Sequence, residues 1–173
     1  MSQAKIISGK SWVFGDNINT DAMAPGPTML MEWEQRRPSL FPETPGIALK
    51  IEPGDFFIAG ENWGCGSSRE QAVHNMMKLG VAIILAESFA RIFQRNAIAN
   101  ALPVITCPNI SRLAEQGDTL SFDWGGFVVT NLRTGDKLQG MKYNNMMGQI
   151  VEAGGMMAVL KKRFGAREGS SLE

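Results

Sequence analysis

Along residues 6–14 apolar and polar positions alternate loosely among β-formers, which predicts a strand closed by Gly15-Asp16-Asn17. The pattern then dissolves. From Asp16 to Pro45, Pro25, Gly26, Pro27, Pro38 and Pro42 interrupt any long element, leaving room for a short helix over 28–35, where Met29, Leu30 and Trp33 recur at helical spacing. A stretch this long and irregular inside a compact domain tends to carry function. A short apolar run over 55–60 predicts a buried strand, residues 64–68 a tight loop, residues 69–79 a helix stopped by Gly80, and residues 81–85 a second apolar strand. Strand, helix and strand with short connections predict a βαβ unit with parallel strands and a right-handed crossover. Further on, the pattern predicts a helix over 88–100, a strand over 103–106 and a short helix over 110–116. Residues 122–130 and 137–142 are expected to pair antiparallel through the Arg133-Thr134-Gly135-Asp136 turn. Two helical pieces, 145–153 and 156–163, hinge at Gly154-Gly155.

Composition narrows what this α/β chain can do. Its 173 residues fit one domain around a single core, taken as 1–168, with the small polar ending 169–173 (Gly-Ser-Ser-Leu-Glu) read as a tail or expression scar. Lysine plus arginine and aspartate plus glutamate both number 17, so the basic excess of a nucleic-acid binder is missing. One histidine, His74, and two cysteines, Cys65 and Cys107, cannot make a zinc finger or hold an iron–sulfur cluster. Any metal in the chemistry must be held mostly by something else. Two cysteines so far apart do not form a secreted disulfide framework, no stretch approaches the roughly 18 apolar residues of a membrane span, and the first residues lack a signal-peptide core. A cytoplasmic location is expected.

The chemistry concentrates in Gly64-Cys65-Gly66-Ser67-Ser68-Arg69-Glu70, where a strand hands over to a helix. Unpaired N–H groups and the positive end of the helix dipole meet there. Glycines let a ligand approach the backbone, and two hydroxyls and a guanidinium converge on the same point. This suits a carboxylate or phosphate, with Arg69 able to bind bidentately. Ser67-x-x-Glu70 also fits a capping box, a purely structural alternative compatible with the first. A serine hydrolase is disfavoured: no nucleophile elbow is present, and His74 would sit about 10 Å along the helix from Ser67. A thiol enzyme on Cys65 lacks a neighbouring base, and a phosphate loop lacks its lysine.

Gly66-Ser67-Ser68-Arg69-Glu70, preceded by Gly-Asp-Asn-Ile-Asn-Thr-Asp at 15–21, resembles the small subunits of the aconitase-like hydro-lyases. Ser88-Phe89-Ala90-Arg91-Ile92-Phe93 with Asn96, Leu102-Pro103, and Val151-Glu152-Ala153-Gly154-Gly155 extend the likeness over about residues 6–163. The length suits the stand-alone small subunits of the 3-isopropylmalate dehydratase type better than a fused domain. The resemblance implies a swivelling β/β/α domain of the aconitase C-terminal type, a mixed sheet with flanking helices that closes over a large subunit. That partner would carry a [4Fe–4S] cluster, with none bound by this chain. The implied reaction is dehydration of a 2-hydroxy diacid and rehydration at the neighbouring carbon, as in leucine biosynthesis. Ser67 would be the base for the carbon-bound proton; Ser68 and Arg69 would bind a substrate carboxylate, with Gly66 also substrate-binding.

Three positions depart from the family pattern. Gln71 follows the glutamate where histidine is usual, and Ala101 takes the place of the glycine in the family's Asn-x-Gly-Leu-Pro pattern. The segment that reads the substrate's variable group in many relatives is Ala24-Pro25-Gly26-Pro27-Thr28-Met29-Leu30-Met31 here, with no arginine before Arg36. Met29 and Leu30 are therefore expected to line a pocket for an apolar substituent, unless they form a helix face packed on the core or Arg36 or Arg37 folds back to supply charge. Other 2-alkylmalate, citramalate or homoaconitase-type substrates stay open, as does a non-catalytic anion-binding domain of the same fold.

Overall fold

The computed structural model describes residues 5–164, so the reading of 169–173 as a tail lies outside the described residues. Seven strands form one mixed sheet in the order β4-β3-β2-β1-β5-β6-β7. β1 (Ile6–Val13), β2 (Phe56–Ala59), β3 (Ile83–Ala86) and β4 (Val104–Thr106) run parallel. β5 (Thr119–Asp123), β6 (Val128–Asn131) and β7 (Lys137–Gln139) continue antiparallel from the other edge of β1.

Alternation along the buried strands splits the interior in two. Phe57, Ala59, Ile84, Ala86 and Val104 face the helices α4 (Glu70–Leu79) and α5 (Arg91–Ala99). Phe56, Ile58, Ile83, Leu85 and Ile105 face Leu120, Phe122 and Val129, because the antiparallel half curls back over the parallel half. Both faces of β2 and β3 are covered, which is why those strands are continuous apolar runs. The βαβ unit, the stop at Gly80, and the closing helices α6 (Asn145–Glu152) and α7 (Met156–Phe164) stand where the pattern placed them.

Three expected elements differ. The helix over 28–35 is two fragments, a 3-10 turn at Gly26–Thr28 and α2 (Trp33–Arg36), which follows the four-residue α1 (Thr20–Met23). A continuous helix would use the Met29 and Met31 carbonyls for its own ladder, but Arg36 Nη1 donates to both, at 3.2 and 3.4 Å. The helix over 110–116 is one 3-10 turn, Ile110–Arg112. Glu87 accepts from the N–H groups of Asn109 and Ser111, and the following chain bonds to β1 through Ser11 N to Asp118 O and Gly117 N to Ser11 O. Residues 122–130 are the end of β5, a turn and β6, because the Asp123 carboxylate accepts from Gly125 and Gly126 N–H and folds the chain over. A 3-10 turn at Arg37–Ser39 and the four-residue α3 (Ile47–Lys50) have no counterpart in the hydrophobic pattern.

Helix α5 ends in a Schellman arrangement, with Leu102 N donating to Ala97 O and Ala101 N to Ile98 O. The left-handed position belongs to Ala101, at φ +60°. A β-carbon there costs about 1–2 kcal/mol, partly offset because glycine loses about 0.4–1 kcal/mol more chain entropy on folding. Ala101→Gly is therefore expected to stabilise the domain by about 0.5–1 kcal/mol, seen as a raised denaturation midpoint at unchanged m-value. A lowered midpoint would show that the strain is absent.

Candidate functional site

Strands β1, β2 and β3 are adjacent and parallel, so the loops leaving their C-terminal ends emerge side by side, where ligands of open α/β sheets bind. The loop after β1 stays hydrogen-bonded to the loop after β2 well beyond the sheet. Asn17 N donates to Glu61 O, Gly64 N to Ile18 O and Thr20 N to Cys65 O, each within 2.7–2.9 Å. The loop after β3 joins them, with Trp63 N donating to Ser88 O and Ala90 N to Trp63 O. Buried Trp63 packs against Phe14, Phe41 and Phe57 beneath this junction and fixes its floor. The three sequence motifs are thus one site, zipped together by main chain.

Two glycines shape the loop. Gly64 has φ +80°, and a β-carbon on it would stand 2.2 Å from the Phe93 ring of α5. Gly66 has φ +98° and lies against Thr20 Oγ1. Ser67 and Ser68 follow on the exposed surface. The capping-box alternative fails, because Arg69 is the N-cap residue of α4 and no side chain caps the helix. Among the described residues, no acceptor takes the N–H of Gly66, Ser67 or Ser68. These donors, at the positive end of α4, are free for an anion.

Thr20 is buried behind the loop. Its Oγ1 donates to Ser67 O at 3.0 Å and stands 3.4 Å from Ser67 Oγ. Arg69 forms an ion pair with Asp21 and donates to Ala24 O at 2.8 Å, both through Nη1, which leaves Nη2 and Nε facing no described acceptor. Sequence reasoning assigned no role to Thr20 or Asp21. The signal was there, since both close the 15–21 motif, but only the paired loops reveal what they touch.

His74 is a half-exposed residue on the flank of α4, with Nε2 3.4 Å from Asn100 Oδ1 and 3.8 Å from Glu70 Oε1. Cys65 Sγ donates to Asn17 O at 3.4 Å, whereas Cys107 is buried in the core on the other face, its thiol pushed up to about 11 by burial and by the Glu87 charge. Among the described residues no group of histidine, cysteine and carboxylate side chains is placed to hold a metal ion, and the two thiols lie in different parts of the molecule. The donor set does not fit an iron–sulfur cluster on this chain.

Met29 and Met31 are more than a third exposed and Leu30 is fully exposed, so they do not form a helix face packed on the core; only Trp33 packs inward. Arg37 points away, donating to Ala48 O and Ile51 O. Hollows of ≈ 410 Å³ beside Phe14 and Lys50 and ≈ 540 Å³ between α6 and α7 lie apart from Ser67. Ser67, Ser68 and the unengaged edge of Arg69 stand together on an open face of the chain.

Residues 42–109 match the Aconitase C-terminal domain family. The isopropylmalate/citramalate isomerase small subunit of Methanocaldococcus jannaschii is 42% identical over 162 residues, 92% of this chain and 96% of that one. The 3-isopropylmalate dehydratase small subunit of Aquifex aeolicus is 37% identical over 92% of this chain and 96% of its own length. The methanogen homoaconitase small subunit of Methanothermobacter thermautotrophicus is 41% identical over 88% of this chain and 89% of its own. In structure, the crystallised 3-isopropylmalate dehydratase protein of M. jannaschii superposes with a TM-score of 0.85 at 32% identity, covering 95% of this chain and all of that one.

Proposed function

The chain belongs to the 3-isopropylmalate dehydratase small subunits built on the Aconitase C-terminal domain, and from that premise we propose that residues 66–69 are its share of the active site. It is one subunit of a two-subunit hydro-lyase that isomerises a 2-hydroxy diacid by dehydration and rehydration, in leucine biosynthesis. The observation that carries the site reading is the capless start of α4, where free N–H groups, Ser67, Ser68 and Arg69 stand together on an open face.

On this reading the large subunit holds a [4Fe–4S] cluster that supplies the Lewis acid for the departing hydroxyl. Ser67 takes the proton from the neighbouring carbon. An alkoxide needs donors around it, and the loop N–H groups, the α4 dipole and Arg69 supply them. Thr20 adds another by turning its proton from Ser67 O to Ser67 Oγ. Ser68 and the free edge of Arg69 hold a substrate carboxylate. Reconstitution tests the assignment: the chain alone is expected to show no turnover, and the chain with a cysteine-rich large subunit to form a brown, iron-dependent, active complex. Turnover by the partner-free, iron-free chain would sink it, and an inactive complex would leave an anion-binding domain of the same fold.

The relatives at 41–42% identity carry different substrate names, so the substrate's variable group is read from the loop. Met29 and Leu30 line its pocket. Both arginines of the segment turn their head groups to the protein's own carbonyls, so neither is presented to a third carboxylate. In the complex, 2-alkylmalates are expected to exceed homocitrate-like triacids by at least about tenfold in kcat/KM. A preference for triacids that Arg36→Ala or Arg37→Ala abolishes would overturn the apolar reading.

A further inference from the structure

Arg36 is 5% exposed and forms no ion pair with any described residue, an unusual state for a guanidinium. Neutral dipoles hold it instead. Nη1 donates to the carbonyls of Met29 and Met31, on either side of Leu30. In the amide orientation that satisfies both partners, Gln71 Oε1 accepts from Nη1 at 3.1 Å and Nη2 at 3.3 Å. Nε is buried without a partner.

Gln71 lies on the first turn of α4, two residues after Arg69. The same flank of that helix repeats the contact at helical spacing. Asn75 Nδ2 donates to Met23 O at 2.8 Å, and Lys78 Nζ stands 5.6 Å from the Trp33 ring, whose other neighbour is Arg36 at 5.7 Å. Positions 71, 75 and 78 thus tie the whole 23–36 segment to the helix whose N-terminus carries the serines. Of these ties only Arg36 reaches the exposed apolar tip, and it grips main chain. Its contacts set where Leu30 stands whatever side chain Leu30 carries.

We propose that Arg36, seated on Gln71, is a positioning residue for substrate discrimination: it holds the 29–31 tip in fixed register with Ser67–Arg69, so that the substituent pocket and the carboxylate clamp act on one substrate. The inference rests on the reading that Met29 and Leu30 line the pocket. A bulky substituent needs the tip in place, whereas a methyl group does not reach it. Loss of the grip should therefore act on discrimination before it acts on the chemical step.

The test uses the reconstituted two-subunit enzyme with 2-isopropylmalate and citramalate, which differ by isopropyl against methyl. Arg36→Met is expected to lower the isopropylmalate-to-citramalate ratio of kcat/KM by about tenfold or more, through a raised KM for isopropylmalate with kcat for citramalate within about threefold of the parent. Arg36→Lys, which keeps a donor but not the fork, should fall between. Gln71→Ala should shift the ratio the same way by about threefold, and it keeps the test open if Arg36→Met fails to assemble. A purely structural residue would lower both substrates in parallel with Tm. An unchanged ratio in Arg36→Lys and Gln71→Ala overturns the proposal. Leu30→Ala separates the two levels: if it moves the ratio and the Arg36 and Gln71 variants do not, the clamp alone falls. If Leu30→Ala leaves the ratio unchanged, the pocket reading falls and takes the clamp with it.

Discussion

Ser67→Ala in the reconstituted complex is expected to lower kcat by about 10²–10⁴-fold, the range that a positioned general base contributes. KM should change little, because Ser68, Arg69 and the large subunit still hold the substrate. The variant should also be as stable as the parent. Were Ser67 a helix cap, its removal would cost about 1 kcal/mol. The hydroxyl caps nothing, the side chain is exposed, and a surface substitution of this kind stays within about 0.5 kcal/mol. Steady-state kinetics and a thermal melt on the same preparation make the check: lost turnover at unchanged Tm supports the base, and near-normal kcat removes Ser67 from the chemistry. Thr20→Val extends the argument, since it deletes the hydroxyl 3.4 Å from Ser67 Oγ and should lower kcat by less.

Arg69→Lys should act on binding. The guanidinium is held on one side by Asp21 and Ala24 O and presents Nη2 and Nε on the other. A lysine has one compact charge, and it cannot satisfy Asp21 and a substrate carboxylate with the same geometry. KM is expected to rise by about 10–100-fold, matching the roughly 1.5–3 kcal/mol that a hydrogen bond to a charged group contributes. Asp21→Asn, which removes only the charge that orients the guanidinium, should raise KM less. Equal KM in parent and Arg69→Lys would mean that the substrate carboxylate is held elsewhere. Because both effects are read in the complex, the isolated chain, expected to show no turnover, is the background against which they are measured.

Much of this site was legible along the chain, for a local reason. Gly64, Gly66, Ser67, Ser68 and Arg69 are neighbours in sequence, and a strand-to-helix junction imposes free N–H groups and a dipole whatever the rest of the molecule does. The resemblance to a family added the 15–21 motif without saying why it was needed. Ser-x-x-Glu spacing misled toward a capping box, since spacing cannot say which residue starts the helix. The short elements misread over 28–35, 110–116 and 122–130 share a cause: in each, a side chain (Arg36, Glu87, Asp123) takes backbone groups that hydrophobic periodicity assigns to a helix or strand.

The parallel βαβ core is readable from the chain alone, because β2 and β3 are unbroken apolar runs that need cover on both faces and α4 is stopped by Gly80. The sequence also determined that two separated thiols cannot hold a cluster. Thr20 and Asp21, by contrast, come to the Ser67–Arg69 loop only through the tertiary fold. Their partners Ser67 and Arg69 lie 47 and 48 residues away, and only the side-by-side order of β1 and β2 brings those loops into hydrogen-bonding distance. The burial of Arg36 is likewise a product of the tertiary fold. A charged residue in an irregular stretch reads as solvated surface, since burying it is costly. Here the Met29 and Met31 carbonyls and the Gln71 amide, none of them identifiable as partners from local pattern, make its buried state affordable and leave Leu30 standing outward.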